Sequence, residues 1–133
     1  DLHQPMHAGD RHDRGGNDVD ADYGIIPGLN LHWIWDGPLA ERAISTPPAL
    51  VRRYSAAEKA AIDQGTPEDW SREAWEASRD IAYARALDGD PCGPKPGEAV
   101  VIDEADVAAS ADTLRLQIER AGLRLADMLD KAL

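Results

Sequence analysis

Two short stretches near the start of the chain carry residues able to hold a metal ion. They are Asp1-Leu2-His3-Gln4-Pro5-Met6-His7 and Asn30-Leu31-His32-Trp33-Ile34-Trp35-Asp36. His32 and Asp36 are four residues apart, a spacing that shares one helix face. A neutral imidazole beside a carboxylate is a ligand pair suited to a borderline metal such as zinc. His7 follows Pro5 and lies six residues after Asp1, so both can sit at the ragged end of a helix that Pro5 helps to stop. Each stretch therefore offers one histidine and one aspartate. Together Asp1, His7, His32 and Asp36 make a four-ligand nitrogen and oxygen set, and its oxygen content suits a catalytic site better than a closed structural one. A single His-x-x-x-Asp pair occurs often in acidic helices. Two such pairs flanking Gly15-Gly16-Asn17-Asp18 are more specific, because glycine lets a chain turn tightly beside a bulky ligand.

The elements that must position these residues can be read from periodicity and caps. Residues 8–28 are rich in Gly, Asp and Arg and carry no helical period, so they read as loop with at most a short extended piece near Val19–Tyr23. His12 and Arg14 in that loop read as surface residues. From Leu29 to about Ile44 the pattern turns helical: Asn30 is a suitable N-cap and Leu31, Ile34, Trp35 and Leu39 build an apolar face. Gly37-Pro38 breaks that helix after Asp36. Trp33 and Trp35 both read as core. Thr46-Pro47-Pro48 is expected to start the next helix, running to about Gln64 with Gly65 as terminator. Thr66-Pro67-Glu68-Asp69 opens a third, with a capping threonine, proline in the first turn and early acids, running to about Leu87.

The breaker-dense residues 88–99 form a long loop. The last helix, about Asp103 to Lys131, carries Val107, Ala111, Leu114, Ile118, Ala121, Leu125 and Met128 at three- and four-residue steps, a core signature. The expected fold is all-α, a bundle of four or five helices with an irregular metal-site loop. At 133 residues the chain is a single domain's worth.

Charge narrows the function classes. The formal net charge is −11, with 25 acidic against 14 basic residues and no basic stripe of the kind that grips a nucleic-acid backbone. If the chain handles phosphodiesters, positive charge must come locally from metal ions, which fits short or single-stranded substrates better than long duplex. No apolar run is long enough to span a bilayer. Cys92 is the only cysteine, so no disulfide forms within the chain.

The series Asp1-Leu2-His3-Gln4-Pro5-Met6-His7, then Gly15-Gly16-Asn17, then Asn30-Leu31-His32-x-x-Trp35-Asp36 resembles the S1/P1 nuclease family, zinc-dependent single-strand nucleases related to bacterial phospholipase C. Residues Arg120 to Ala126 are similar to the family's last helix, so the resemblance covers most of the chain. It implies a helical bundle of the phospholipase C and single-strand nuclease type, with a cluster of three zinc ions. By position, it implies that Asp1 is a catalytic carboxylate bridging metals, that His7, His32 and Asp36 are the remaining protein ligands of one zinc, and that Asn17 contacts the substrate phosphate. His3 matches a histidine with no ligand role.

The family's further ligands, an N-terminal tryptophan, two or three histidines and another aspartate, find no match here. The resemblance therefore implies the C-terminal part of a nuclease-like domain, with an upstream N-terminal half as partner. The implied activity is hydrolysis of DNA or RNA phosphodiesters, as a single-strand endonuclease or 3′-nucleotidase releasing 5′-phosphorylated products. Such enzymes are mostly secreted or periplasmic. Two alternatives stand beside it. One is a phospholipase C-like phosphoesterase, disfavoured because Asp36 replaces the glutamate typical of that branch. The other is a catalytically inactive zinc-binding helical fragment.

Overall fold

A computed structural model describes residues 1–133. The chain is largely helical, but the expectation of an all-α fold needs correcting: a three-stranded sheet lies against the helices. Strands β1 (Asp20–Tyr23) and β2 (Ile26–Asn30) form an antiparallel hairpin, and β3 (Val100–Ile102) pairs in parallel with β1, giving the order β2-β1-β3. The region around Val19–Tyr23 is extended as expected. β2 was hidden by Pro27 and Gly28, residues that disfavour strands but are tolerated at an edge.

The sheet feeds the metal-bearing helices directly. Leu31 N–H donates to Val19 O at 3.0 Å, so β2 runs into helix α2 (Leu31–Asp36) as the hairpin closes. Asn30 caps α2 by accepting from the Trp33 amide at 2.8 Å. The chain breaks at Gly37 and restarts as α3 (Pro38–Ser45). Ahead of the sheet, α1 (Pro5–Ala8) is a single turn capped by Gln4.

The helix expected from Thr46 begins later. Residues 46–55 are irregular and α4 spans Ala56–Ile62. Pro48 disfavours helical backbone at Pro47, whereas Ser55 and Glu58 form a reciprocal capping box at 3.1 and 2.7 Å. A Thr66–Asp69 box starts α5 (Pro67–Ala77), which continues through a π-helical turn (Ser78–Tyr83) into α6 (Ala84–Ala86). Helix α7 (Glu104–Ala132) follows the loop and β3, capped by Asp103.

The core gathers Met6 from α1, Ala21 from the sheet, Leu31, Ile34 and Trp35 from α2, Leu39 from α3, Tyr83 from the π-helical turn, and Val107 and Leu114 from α7. Each large apolar side chain so buried contributes roughly 1.5–3 kcal/mol. Trp35 is core as expected, but Trp33 is 52% exposed, because α2 turns that face outward. The buried stripe of α7 is also rotated from the expected one. Val107, Ser110, Leu114, Gln117 and Arg124 face inward, while Leu125 and Met128 are more than half exposed.

Candidate metal centre

The two stretches that carry the candidate ligands meet. His7, His32 and Asp36 offer ligand atoms that all lie within 4.8 Å of one another. His32 Nε2 is 3.1 Å from Asp36 Oδ2, and His7 Nε2 is 3.9 Å from Asp36 Oδ1. The two imidazoles stack at 5.3 Å between centroids. Ligands about 2.0 Å from a tetrahedral zinc lie roughly 3.3 Å apart, so the spacing suits that ion.

The loop between the strands and helices sets this geometry. His32 Nδ1 is 2.8 Å from the carbonyl oxygen of Gly15. A carbonyl only accepts, so Nδ1 carries the proton and donates. In the neutral ring Nε2 is then a lone pair, aimed at a carboxylate oxygen. Two acceptors at 3.1 Å repel unless a cation sits between them, and a divalent metal or an imidazolium proton meets that need. The donor set, two imidazoles and one carboxylate, is that of a catalytic zinc with a position left for water or substrate.

Gly15 and Gly16 make this contact possible. Both have positive φ, 62° and 83°. A Cβ on Gly15 would lie 2.6 Å from the Met6 carbonyl oxygen, and one on Gly16 would lie 2.6 Å from the Met6 side chain. The loop is pinned from below by Asp13, which is 7% exposed. Its Oδ1 accepts from the Gly16 amide at 2.9 Å and from the Tyr83 hydroxyl at 2.8 Å. Burial, and then the hydrogen bond to Asp13, push the Tyr83 phenol far above its ordinary range, so it remains a donor. Asp10 Oδ1 accepts from the amides of Asp13 and Gly15, both at 3.1 Å.

Gln4 ties the helices that bear the ligands. Its Oε1 accepts from the Met6 amide at 2.7 Å while its Nε2 donates to Asp36 Oδ1. Gln4, Asp10, Asp13 and Tyr83 thus shape the centre although their types gave no such signal. Gln4 alone was traceable, lying between two candidate ligands in one motif.

The other candidates lie around this group. Asp1 is exposed, with Oδ1 3.4 Å from His7 Nδ1, on the side of that ring away from Asp36. Asn17 follows the glycine pair, and its side-chain amide donates to the Arg14 carbonyl at 2.8 Å. Arg14 is a surface residue as expected, paired with Asp18 at 2.6 Å.

His3 stands apart from the ligand group, in a polar cluster beneath the first stretch. Its Nε2 accepts from Arg124 Nη1 at 2.9 Å, and its carbonyl accepts from Gln117 at 2.9 Å. Burial, followed by the Arg124 charge, lowers its pKa and keeps the ring neutral. Arg124, 3% exposed, also grips Glu73 through two hydrogen bonds of 2.8 and 3.1 Å and the Ile62 carbonyl at 2.8 Å. This cluster anchors the Asp1–Gln4 turn to α5 and α7.

A family model described as S1/P1 Nuclease matches the chain over residues 1–133. No curated protein matches it.

Proposed function

The chain belongs to the S1/P1 nuclease family, and from that membership we propose that it is a zinc-dependent phosphodiester hydrolase of single-stranded nucleic acid. The observation that carries the zinc reading is the 3.1 Å approach of the His32 Nε2 lone pair to Asp36 Oδ2, beside His7. In this reading His7, His32 and Asp36 hold one zinc. When bound, zinc supplies a Lewis acid that polarises a phosphate ester and makes water a nucleophile near neutral pH.

The chain's own groups do the rest. The Gly15 carbonyl fixes the His32 tautomer, so that its free nitrogen faces the metal position. Gln4 orients the Asp36 carboxylate. Asn17 is assigned to a phosphate oxygen, because its amide stands on the glycine turn that touches His32. Asp1 is assigned to bridging metals, its carboxylate being next to His7. The products assigned to this reaction carry 5′-phosphates.

The test is hydrolysis of single-stranded and duplex DNA with and without chelator, followed by zinc add-back. Single strands should be cleaved faster, chelation should stop cleavage, and zinc should restore it. Cleavage that survives chelation contradicts the reading. Zinc bound at the centre without any turnover would favour an inert structural site instead.

A further inference from the structure

A cavity of about 160 Å³ lies between the loop after α1 and the wall formed by α5 and the π-helical turn. Gly9, Arg11, Trp75, Ser78, Arg79 and Tyr83 are among its lining residues. Gly9 follows His7 by two residues, which keeps their Cα atoms within about 7 Å. One wall of the cavity thus lies next in the chain to the turn that carries His7.

Two guanidiniums, of Arg11 and Arg79, line it beside the carboxylate of Asp10. The Arg79 guanidinium lies over the Trp75 ring at 4.5 Å, and that indole stays 44% exposed. The Arg11 guanidinium lies 5.3 Å from the Tyr83 ring centroid. Arg79 is already paired with Asp80 at 2.6 and 2.8 Å. Arg11 is not so neutralised: its side chain donates to the Gly93 carbonyl and to no carboxylate. At the wall, Ser78 Oγ is wholly buried and has no hydrogen-bond partner. It lies so close to Gly9 that a Cβ there would sit 1.9 Å from it. π-helical turns of this sort recur at functional sites.

We propose that this cavity is a subsite for single-stranded nucleic acid, with a base stacking on Trp75 and a backbone phosphate taken by Arg11. The proposal rests on the nuclease reading, which supplies the class of ligand. Exposed indoles beside guanidiniums form the stacking and charge pair that binds single strands without reading sequence. The aspartate partner of Arg79 leaves Arg11 as the stronger phosphate contact.

The experiment is a fluorescence-anisotropy titration of a fluorescein-labelled dT octamer, read at first mixing and at several salt concentrations. Arg11→Gln should weaken binding about tenfold, as expected for loss of a charged hydrogen bond. The slope of log K against log salt should also become shallower by about 0.7, one phosphate contact on a single strand. Trp75→Ala should weaken binding about tenfold or more through lost stacking. Arg79→Gln should cost less than Arg11→Gln, and Arg53→Gln, on another face, should leave binding unchanged. Thermal unfolding of each variant identifies any that misfold, and the half-buried Arg11 and the exposed Trp75 give two independent routes. Unchanged affinity and salt slope in Arg11→Gln, with unchanged affinity in Trp75→Ala, overturns the subsite. If single strands are hydrolysed while both variants bind normally, the subsite alone falls. If the octamer binds through Arg11 and Trp75 without turnover, the subsite stands and the hydrolase reading falls.

Discussion

Gly15 is the residue on which the metal centre turns, although it donates nothing to a metal. Its carbonyl fixes the proton of His32, and its left-handed backbone lets the loop pass within contact of Met6. Gly15→Ala should cost about 1–2 kcal/mol for the backbone conformation alone, with more from the 2.6 Å approach to the Met6 carbonyl. Because it also misaligns a ligand, zinc affinity should fall by about 10- to 100-fold. Calorimetric zinc titration and denaturant unfolding of the variant check the two effects separately. The ligand types and the glycine pair were legible in the sequence, since a four-residue step and a glycine doublet are local signals. Asp13 was not, because its role comes from a hydrogen bond to Tyr83, 70 residues away; Gln4 lies inside the first motif, but its bond to Asp36, 32 residues on, shows only in the fold.

Helices α5 and α7 hold the first ligand stretch through buried charge. Arg124 meets Glu73, Ile62 and His3 at once, so Arg124→Ala leaves the Glu73 carboxylate without its bidentate partner. The expected loss is about 3–5 kcal/mol, measurable by denaturant unfolding, with zinc affinity falling as the Asp1–Gln4 turn loosens. Burial raises the Glu73 pKa, but the hydrogen bond from Arg124 and the charges of Arg120 and Arg124 outweigh it, leaving a net depression. A carboxyl depressed in the folded state contributes stability that is fully present above its unfolded pKa of about 4.5 and is lost as pH falls through the folded value. Stability measured downward from pH 6 should therefore decline below about 4.5, and Glu73→Gln should flatten that decline. The helical extent of α7 was legible from its caps and period. Its inward face was not, because period alone cannot show that Gln117 and Arg124 find polar partners inside while Leu125 and Met128 are left more than half exposed.

For the molecule as a whole, a net charge of −11 and a histidine–aspartate group fit the zinc reading, in which a bound metal would supply the positive charge at the site. The small sheet was the least legible feature. β3 is a three-residue Val-Val-Ile run whose partner β1 lies nearly eighty residues earlier, and no local rule announces such a pairing. A metal that binds only the folded chain stabilises it by mass action, by about 2.7 kcal/mol at a free concentration a hundred times its Kd. The thermal midpoint should therefore rise with added zinc, and that rise should vanish in Asp36→Ala. The central claim, that His7, His32 and Asp36 form a zinc site, is tested most directly by elemental analysis of zinc per chain in the native protein and in His32→Ala. The account predicts at least about one zinc per chain, with about one lost in the variant, because three donors converge on one position. A zinc-free native protein, or a variant that keeps its full complement, would contradict it.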